Sequence, residues 1–346
     1  MNQQHIDLLK KLTEARGISG REDDVAAILR TELEGHADRM ERDAIKNLFI
    51  LKGMDKPGPR VMLNAHMDEV GLYVTRLAKE GYLHFGKAGS IDDRLLLGKK
   101  VLVGKDRLPG VIAIKAVHLS TREECATKVI KVEDMVIDVG AKSDKELSGK
   151  VALGDQVTFD TPFSTLGDGC LVGKAFDDRV GCAVVAELLT MDWPFPVIGM
   201  FSTQEEVGTK GARVGAWRYT PDISVTVEGT IAADIGEVKD YQEVTSLGGG
   251  TVLTIKDGGM ITDHPLRNRM IEIAKTNGLP WQFKRLPAGG TDARSIQLTK
   301  SGVRAVAVAV PARYIHSPVS LIKASDYENT ILLLSKFLAD LASTEA

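Results

Sequence analysis

The chain has 346 residues, 43% hydrophobic and 26% charged, which is ordinary globular usage and argues against disorder or a collagen-like repeat. Its 44 basic and 47 acidic side chains leave a net charge of -3 with no long single-sign block, so neither nucleic acid nor an anionic membrane is an expected partner. No stretch approaches about 18 uninterrupted apolar residues, and the polar, amphipathic start MNQQHIDLLKKLTEARG does not read as an export signal.

In chain order, residues 5–16 place Ile6, Leu9 and Leu12 on one helical face. Ser19 followed by Glu22 has the spacing of a capping box and predicts a second helix running to Leu33. The apolar run RVMLNA, bounded by Pro57-Gly58-Pro59, predicts a buried strand ending at His66, a favourable place for a functional residue in an open α/β sheet. After Asp68 the texture changes, and VLVGK, GVIAIKAVHL, MVIDVG and DQVTFDT predict short strands between turns. Beyond about residue 166 the α/β pattern returns, with a helix over 178–191, strands at PVIGMFST and DISVTVE, a helix near Gly211 and a last helix over 326–341. The length exceeds one usual core, so these segments predict one α/β domain from residues 1–68 and 165–346, interrupted by a small β domain at 69–164. Short strands there are expected to leave exposed edges that another chain covers.

The cysteines, Cys125, Cys170 and Cys182, are odd in number and form no CxxC pair, which fits reduced thiols in a cytoplasmic chain. Cys182 lies in an apolar helical run and reads as a buried small hydrophobe.

Candidate chemistry lies where apolar runs end in His, Asp or Glu: AHMDE at 65–69, FDDR at 176–179, STQEEVG at 202–208, VEGT at 227–230 and YIHSP at 314–318. Imidazole and carboxylate suit Zn²⁺, Co²⁺ or Mn²⁺, and the lack of a cysteine cluster argues against a structural zinc knuckle. Singly, a histidine such as His66 after a strand is more often a hydrogen-bonded structural residue, and Asp177-Asp178 alone reads as a cap of the following helix. The adjacent Glu205 and Glu206, by strand alternation, point to opposite sides and repel unless a cation is near; a metal ligand beside a general base explains both.

Taken together, AHMDEVG, AFDDRVGC, STQEEVGTKGA, AGGTDA and RYIHSP, in this order, resemble the signature of the M42 family of metallo-aminopeptidases. The resemblance implies an α/β fold, a mixed-sheet α/β/α metallopeptidase domain carrying an inserted small β-barrel-like domain. It implies two divalent ions per subunit, Zn²⁺ or Co²⁺ or alternatively Mn²⁺, with His66 and His316 each binding one. Asp177 would bridge them, Glu206 and Glu228 would complete the coordination, and Glu205 would be the general base. Asp68 would fix the His66 tautomer. The family pattern selects Asp177 over Asp178 as the bridge and joins the two by a cis peptide; Glu228 stands where relatives commonly place Asp. LGGGT at 247–251 and AGGTD at 288–292 resemble substrate-lining loops. Short peptides are the implied substrate, and dimers assembled into a twelve-subunit hollow tetrahedron, partly through residues 69–164, the implied partner state. The competing readings are an amidohydrolase or deacylase, a polysaccharide hydrolase on the same scaffold, and a metal-dead binding protein. A two-carboxylate glycosidase has no need of a histidine pair, and the full ligand set with Glu205 argues against a dead site. His5, His36, His84, His118 and His264 read as structural.

Overall fold

Residues 2–114, 118, 121 and 129–344 are described by a computed structural model. The first apolar stripe forms the helix Gln3–Glu14, which buries Ile6, Leu9 and Leu12 and is capped by the Asn2 side chain. The second helix, Asp23–Glu32, begins without a side-chain cap. The expected capping box is therefore wrong, and tertiary partners are the reason. Ser19 Oγ donates to Asp68 Oδ2 at 2.6 Å, while Glu22 Oε1 accepts from Gly20 N at 2.6 Å and from Gln204 N at 3.2 Å.

Strands β1 (Arg39–Arg42), β2 (Leu48–Lys52) and β3 (Val61–His66) lead to six short ones: β4 (Gly71–Leu77), β5 (Leu83–Ala88), β6 (Lys100–Val103), β7 (Leu108–Ala113), β8 (Val136–Asp138) and β9 (Gln156–Phe159). These six close on themselves in the order β4-β5-β8-β7-β6-β9, the ring completed by Leu72 of β4 opposite Val157 of β9. Inward side chains such as Leu72, Val74, Leu83, Ile137 and Val157 give the barrel a core of its own. Closure pairs the strand edges, so the expected exposed edges do not exist in this ring. Part of GVIAIKAVHL and Cys125 lie outside the described residues.

The chain then returns through β10 (Ser164–Leu166), β11 (Cys170–Gly173), the helix Phe176–Thr190, β12 (Val197–Ser202), the helix Lys210–Tyr219 and β13 (Ile223–Ile231). β14 (Thr251–Thr254), β15 (Trp281–Lys284), the short helix Ala293–Gln297, β16 (Arg304–Arg313), β17 (Ser320–Lys323) and the helix Ala324–Thr344 follow. Among the described residues the large sheet has 11 strands, ordered β1-β2-β12-β3-β13-β16-β17-β11-β10, with β14 paired to β15 and β16. Its centre, β12-β3-β13-β16, is parallel, and β2 and β17 flank it antiparallel, so the sheet is mixed.

The central strands read as unbroken apolar runs because helices cover both faces. Phe176–Thr190 and Ala324–Thr344 supply Val180, Val184, Leu188, Phe337 and Leu338 to the core on one side, with Leu9 and Leu12 of the first helix. On the other side Ala212, Ala216 and Ile296 pack on Phe49, Met62, Ile198 and Met200. Cys182 is fully buried in the first of these layers. Among the described residues no helix is long and apolar enough to cross a membrane.

Candidate metal centre

Three neighbouring parallel strands bring ionisable groups to one edge of the sheet, β3 and β12 at their carboxyl ends and β13 three residues before its own, in the crevice where α/β sheets place their sites. His66 ends β3, in register with Ser202 at the end of β12; Glu228 lies in β13. Glu205 and Glu206 follow β12 in a turn where Gln204 takes φ +57°. They are not on strand positions, so the alternation argument fails for them, although their crowding with other acids is real. Asp177 and Asp178, joined by a cis peptide, open the helix Phe176–Thr190. His316 lies between β16 and β17.

The two imidazoles are set alike. His66 Nδ1 lies 3.0 Å from the Asp68 carbonyl oxygen, which can only accept, so Nδ1 carries the proton and the lone pair of Nε2 is left for a metal ion. That Nε2 is 3.2 Å from Asp177 Oδ1 and 3.4 Å from Glu228 Oε2. His316 donates Nδ1–H to the Ser90 carbonyl at 3.0 Å and turns Nε2 to Asp177 Oδ2 at 3.4 Å and Glu206 Oε2 at 3.5 Å. Each Asp177 oxygen therefore faces a different imidazole. His66, Asp177 and Glu206 bring one group of ligand atoms within 4.8 Å of one another. Asp178 joins His66 and Glu228 in a second such group, but its oxygens already accept backbone N–H groups, from Gly181 at 2.9 Å and His66 at 3.1 Å.

Asp68 works mainly through its neighbours' backbone. Its fully buried carboxylate accepts from Glu205 N at 2.9 Å and Glu206 N at 3.1 Å as well as from Ser19, and its Oδ1 is 3.4 Å from His66 Nδ1, farther than its own carbonyl. Burial opposes its charge, but His66, Ser19 and the Glu205 amide hold it below the ordinary carboxylate value.

Without a cation the cluster is short of positive charge. Burial first, then neighbouring carboxylates, push Glu205 up to about 10, Glu206 to about 8 and Glu228 to about 7. Burial pulls His316 down, yet Asp177 and Glu206 raise it to about 9. Glu228 Oε1 is buried with no hydrogen-bond partner among the described residues. Buried carboxylates with an unpaired oxygen, facing imidazole Nε2 atoms, are a donor set that fits divalent transition ions.

Sequence reasoning gave no role to Asp292, although it sits in AGGTDA. It is fully buried, takes hydrogen bonds from Ser202 Oγ and Asn64 Nδ2, and adds to the charge facing Glu205. Also unread was the buried triad of Glu69, Lys174 and Arg179, whose members fall inside or beside quoted motifs. A cavity of about 380 Å³ opens on His66, Asp177, Glu205, Glu228 and His316 and runs along 288–291. LGGGT does not line it; the amides of Gly248 and Gly250 donate to Asp326 instead.

Gly229 shows how tightly the cluster is built. A Cβ there would stand 3.0 Å from Asp177 Cα, 3.1 Å from its N and 3.1 Å from the Phe176 carbonyl oxygen, all backbone that has to move. Gly229→Ala is expected to weaken metal retention by about 10–100-fold, the range for disturbing what orients a ligand. Competition with a chromogenic chelator measures it, and parental affinity contradicts the expectation.

The M42 glutamyl aminopeptidase family model matches residues 46–333. A putative aminopeptidase of Acetivibrio thermocellus is 35% identical over 95% of this chain and 97% of its own. Two solved structures share the fold. The TET aminopeptidase of a marine sediment archaeon, a member of the Thaumarchaeota, has 34% identity and a TM-score of 0.92, covering 98% of this chain and 99% of that one. The TET1 peptidase of Pyrococcus horikoshii, described as able to assemble into a tetrahedron or a large octahedral shell, has 34% identity and a TM-score of 0.84 over 96% and 98%.

Proposed function

Because the chain belongs to the M42 family and is a metallo-aminopeptidase, we propose that it releases N-terminal residues from short peptides by a two-metal, general-base hydrolysis. His66 and Glu228 would hold one ion, His316 and Glu206 the other, and Asp177 would serve both. The observation that carries this reading is that the two Asp177 oxygens face two separate imidazole Nε2 atoms. Zn²⁺, Co²⁺ or Mn²⁺ bound there supplies the charge that acidifies a water molecule and polarises the scissile carbonyl. Glu205, on the same cavity but in neither group of closely spaced ligand atoms, takes the proton of the attacking water and passes it to the leaving amine. Asp68 fixes the turn carrying Glu205 and Glu206 through their amides. Carboxylates around the cluster receive the substrate's free α-ammonium, which restricts cleavage to the N-terminus. Free Cys170 and Cys182 agree with a cytoplasmic setting.

Elemental analysis is expected to find two ions per chain, and His66→Ala and His316→Ala each to lower that number, because each removes a ligand from a different ion. Chelators abolish activity reversibly, and N-acetylated peptides are not cleaved. One ion per chain in fully active enzyme refutes the two-metal mechanism.

The same reading includes a homo-oligomer of dimers, a dodecamer, assembled partly through residues 69–164. Among the described residues barrel closure leaves the ring no free strand edge for such contact, and support comes from exposed Tyr73, Leu97, Val111 and Leu153 on this segment. A shell with inward-facing sites admits peptides and excludes folded proteins. Light scattering after gel filtration is expected to give a multiple of 37.5 kDa; a metal-replete monomer at micromolar concentration overturns it.

A further inference from the structure

The helices Lys210–Tyr219 and Ala293–Gln297 pack against each other on the second face of the sheet, and residues of both line a separate cavity of about 500 Å³. It touches neither Glu205 nor any of the candidate metal ligands. Gly208 and Thr209 line it and donate their amides to the Glu205 carbonyl at 2.8 and 2.9 Å, so it backs onto the turn whose other side carries the proposed base. Thr209, Arg213 and Trp217 are spaced by four, which aligns them along one helix face. Arg294 and Leu298 repeat that spacing across the cavity.

Two guanidiniums and no carboxylate line this space. Arg42, Arg218 and Arg313 each pair with an acid, but among the described residues neither Arg213 nor Arg294 has an acidic partner within 4.0 Å. Arg294 Nε donates only to Thr209 Oγ1, at 3.3 Å, and Ser295 Oγ braces that hydroxyl at 2.6 Å. Gly259 makes room for the Arg294 stem, since a Cβ there would stand 2.5 Å from its Cδ. The start of the helix is not the source of the positive field: the amides of residues 208–211 are spent on the carbonyls of Thr203, Gln204 and Glu205. Beside the unpaired cations lies apolar surface, with Trp217 62% and Leu298 78% exposed. Lys300 Nζ, 5.4 Å from the Trp217 ring centroid, brings a third cation to the rim.

Two guanidinium forks match a phosphate dianion in charge and in geometry, whereas a single carboxylate leaves one fork unpaired. The volume is that of a small-molecule site, for which about 300–1,000 Å³ is usual, and exceeds what a bare oxyanion fills. We infer that this cavity binds a phosphate monoester with an aromatic body, its phosphate between Arg213 and Arg294 and its ring against Trp217. The site is independent of the aminopeptidase reading.

Isothermal titration of the metal-loaded enzyme with phenyl phosphate, inorganic phosphate and benzoate is the test. Phenyl phosphate is expected to bind about 10-fold more tightly than inorganic phosphate, the scale of one ring contact, and more tightly than benzoate. Arg213→Gln and Arg294→Met are each expected to weaken phenyl phosphate binding by about 10–100-fold, the scale of a hydrogen bond to a charged group. Trp217→Ala brings the affinities for phenyl phosphate and inorganic phosphate together. Arg213 and Trp217 are exposed, so their variants leave the core intact, which an unfolding midpoint equal to the parent's confirms. Phosphate esters also bind metal ions, and the variants separate the two places. Parental affinity for phenyl phosphate in both Arg213→Gln and Trp217→Ala puts the ester on the metal cluster and overturns the inference. No binding at millimolar phenyl phosphate, or benzoate bound as tightly, overturns it too.

Discussion

Glu205→Gln is expected to lower kcat by about 10²–10⁴-fold while the bound metal stays at the parental level. The amide has nearly the size of the carboxylate, and the backbone contact that places the residue, Glu205 N to Asp68 Oδ1, does not involve the side chain. What the amide lacks is a lone pair basic enough to carry a proton from water to the leaving amine. Glu205 is in neither group of closely spaced ligand atoms, in contrast to Glu206 and Glu228, so its loss should separate chemistry from metal binding. Steady-state turnover with elemental analysis of the same sample checks it. Near-parental kcat with full metal content would falsify the general-base assignment.

The second large effect is on stability. Glu69→Gln is expected to destabilise the fold by about 3–5 kcal/mol, the cost of leaving buried charge without its counter-charge. Glu69 is 2% exposed and bonds Lys174 Nζ through both oxygens, at 2.7 and 2.8 Å, and Arg179 Nη2 at 3.2 Å. Burial pulls Lys174 down to about 8, with Glu69 the main opposing influence. Arg179, fully buried, also donates to the carbonyls of Leu12, Gly17 and Met67, so the triad fastens the first helix and the chain after β3 to the helix that carries Asp177. Removing Glu69 leaves two cations with carbonyl acceptors alone. Urea unfolding measures the loss, and an unchanged midpoint contradicts it.

The two predictions differ in how far they were legible from sequence. Glu205 was readable because two adjacent acids after VIGMFS demand a reason, and the strands behind them were readable because VMLNAH, VIGMFS and ISVTVE are continuous apolar runs with abrupt polar ends. The triad was not, since Glu69 and Lys174 are 105 residues apart and nothing local distinguishes a buried ion pair from two surface charges. The same holds for Ser19 and Glu22. Their spacing satisfies a local capping rule, but Asp68 and Gln204 compete for their side chains and win. Barrel closure was legible only through the family resemblance, which implied a small β-barrel-like insertion: it depends on β4 meeting β9, a pairing fixed by register across more than eighty residues and not by the short strands' own patterns.

The carbonyl that orients His316 belongs to Ser90, which directly follows β5 of the barrel and its turn. Gly89 beside it has φ +81°, and a Cβ there would come within 2.8 Å of Val70 and 3.3 Å of Glu206, so this loop is pressed against the acidic cluster. The barrel therefore cannot be treated as a detachable module. A minimal catalytic fragment made by excising 69–164 and splicing the sheet together would lose the acceptor that sets one imidazole and the anion that neutralises Lys174 and Arg179. Loop grafting between relatives meets the same constraint: exchanging the barrel alone transplants half of a hydrogen bond, and only chimeras that carry the 89–90 turn together with its matching 314–318 segment keep the pair intact.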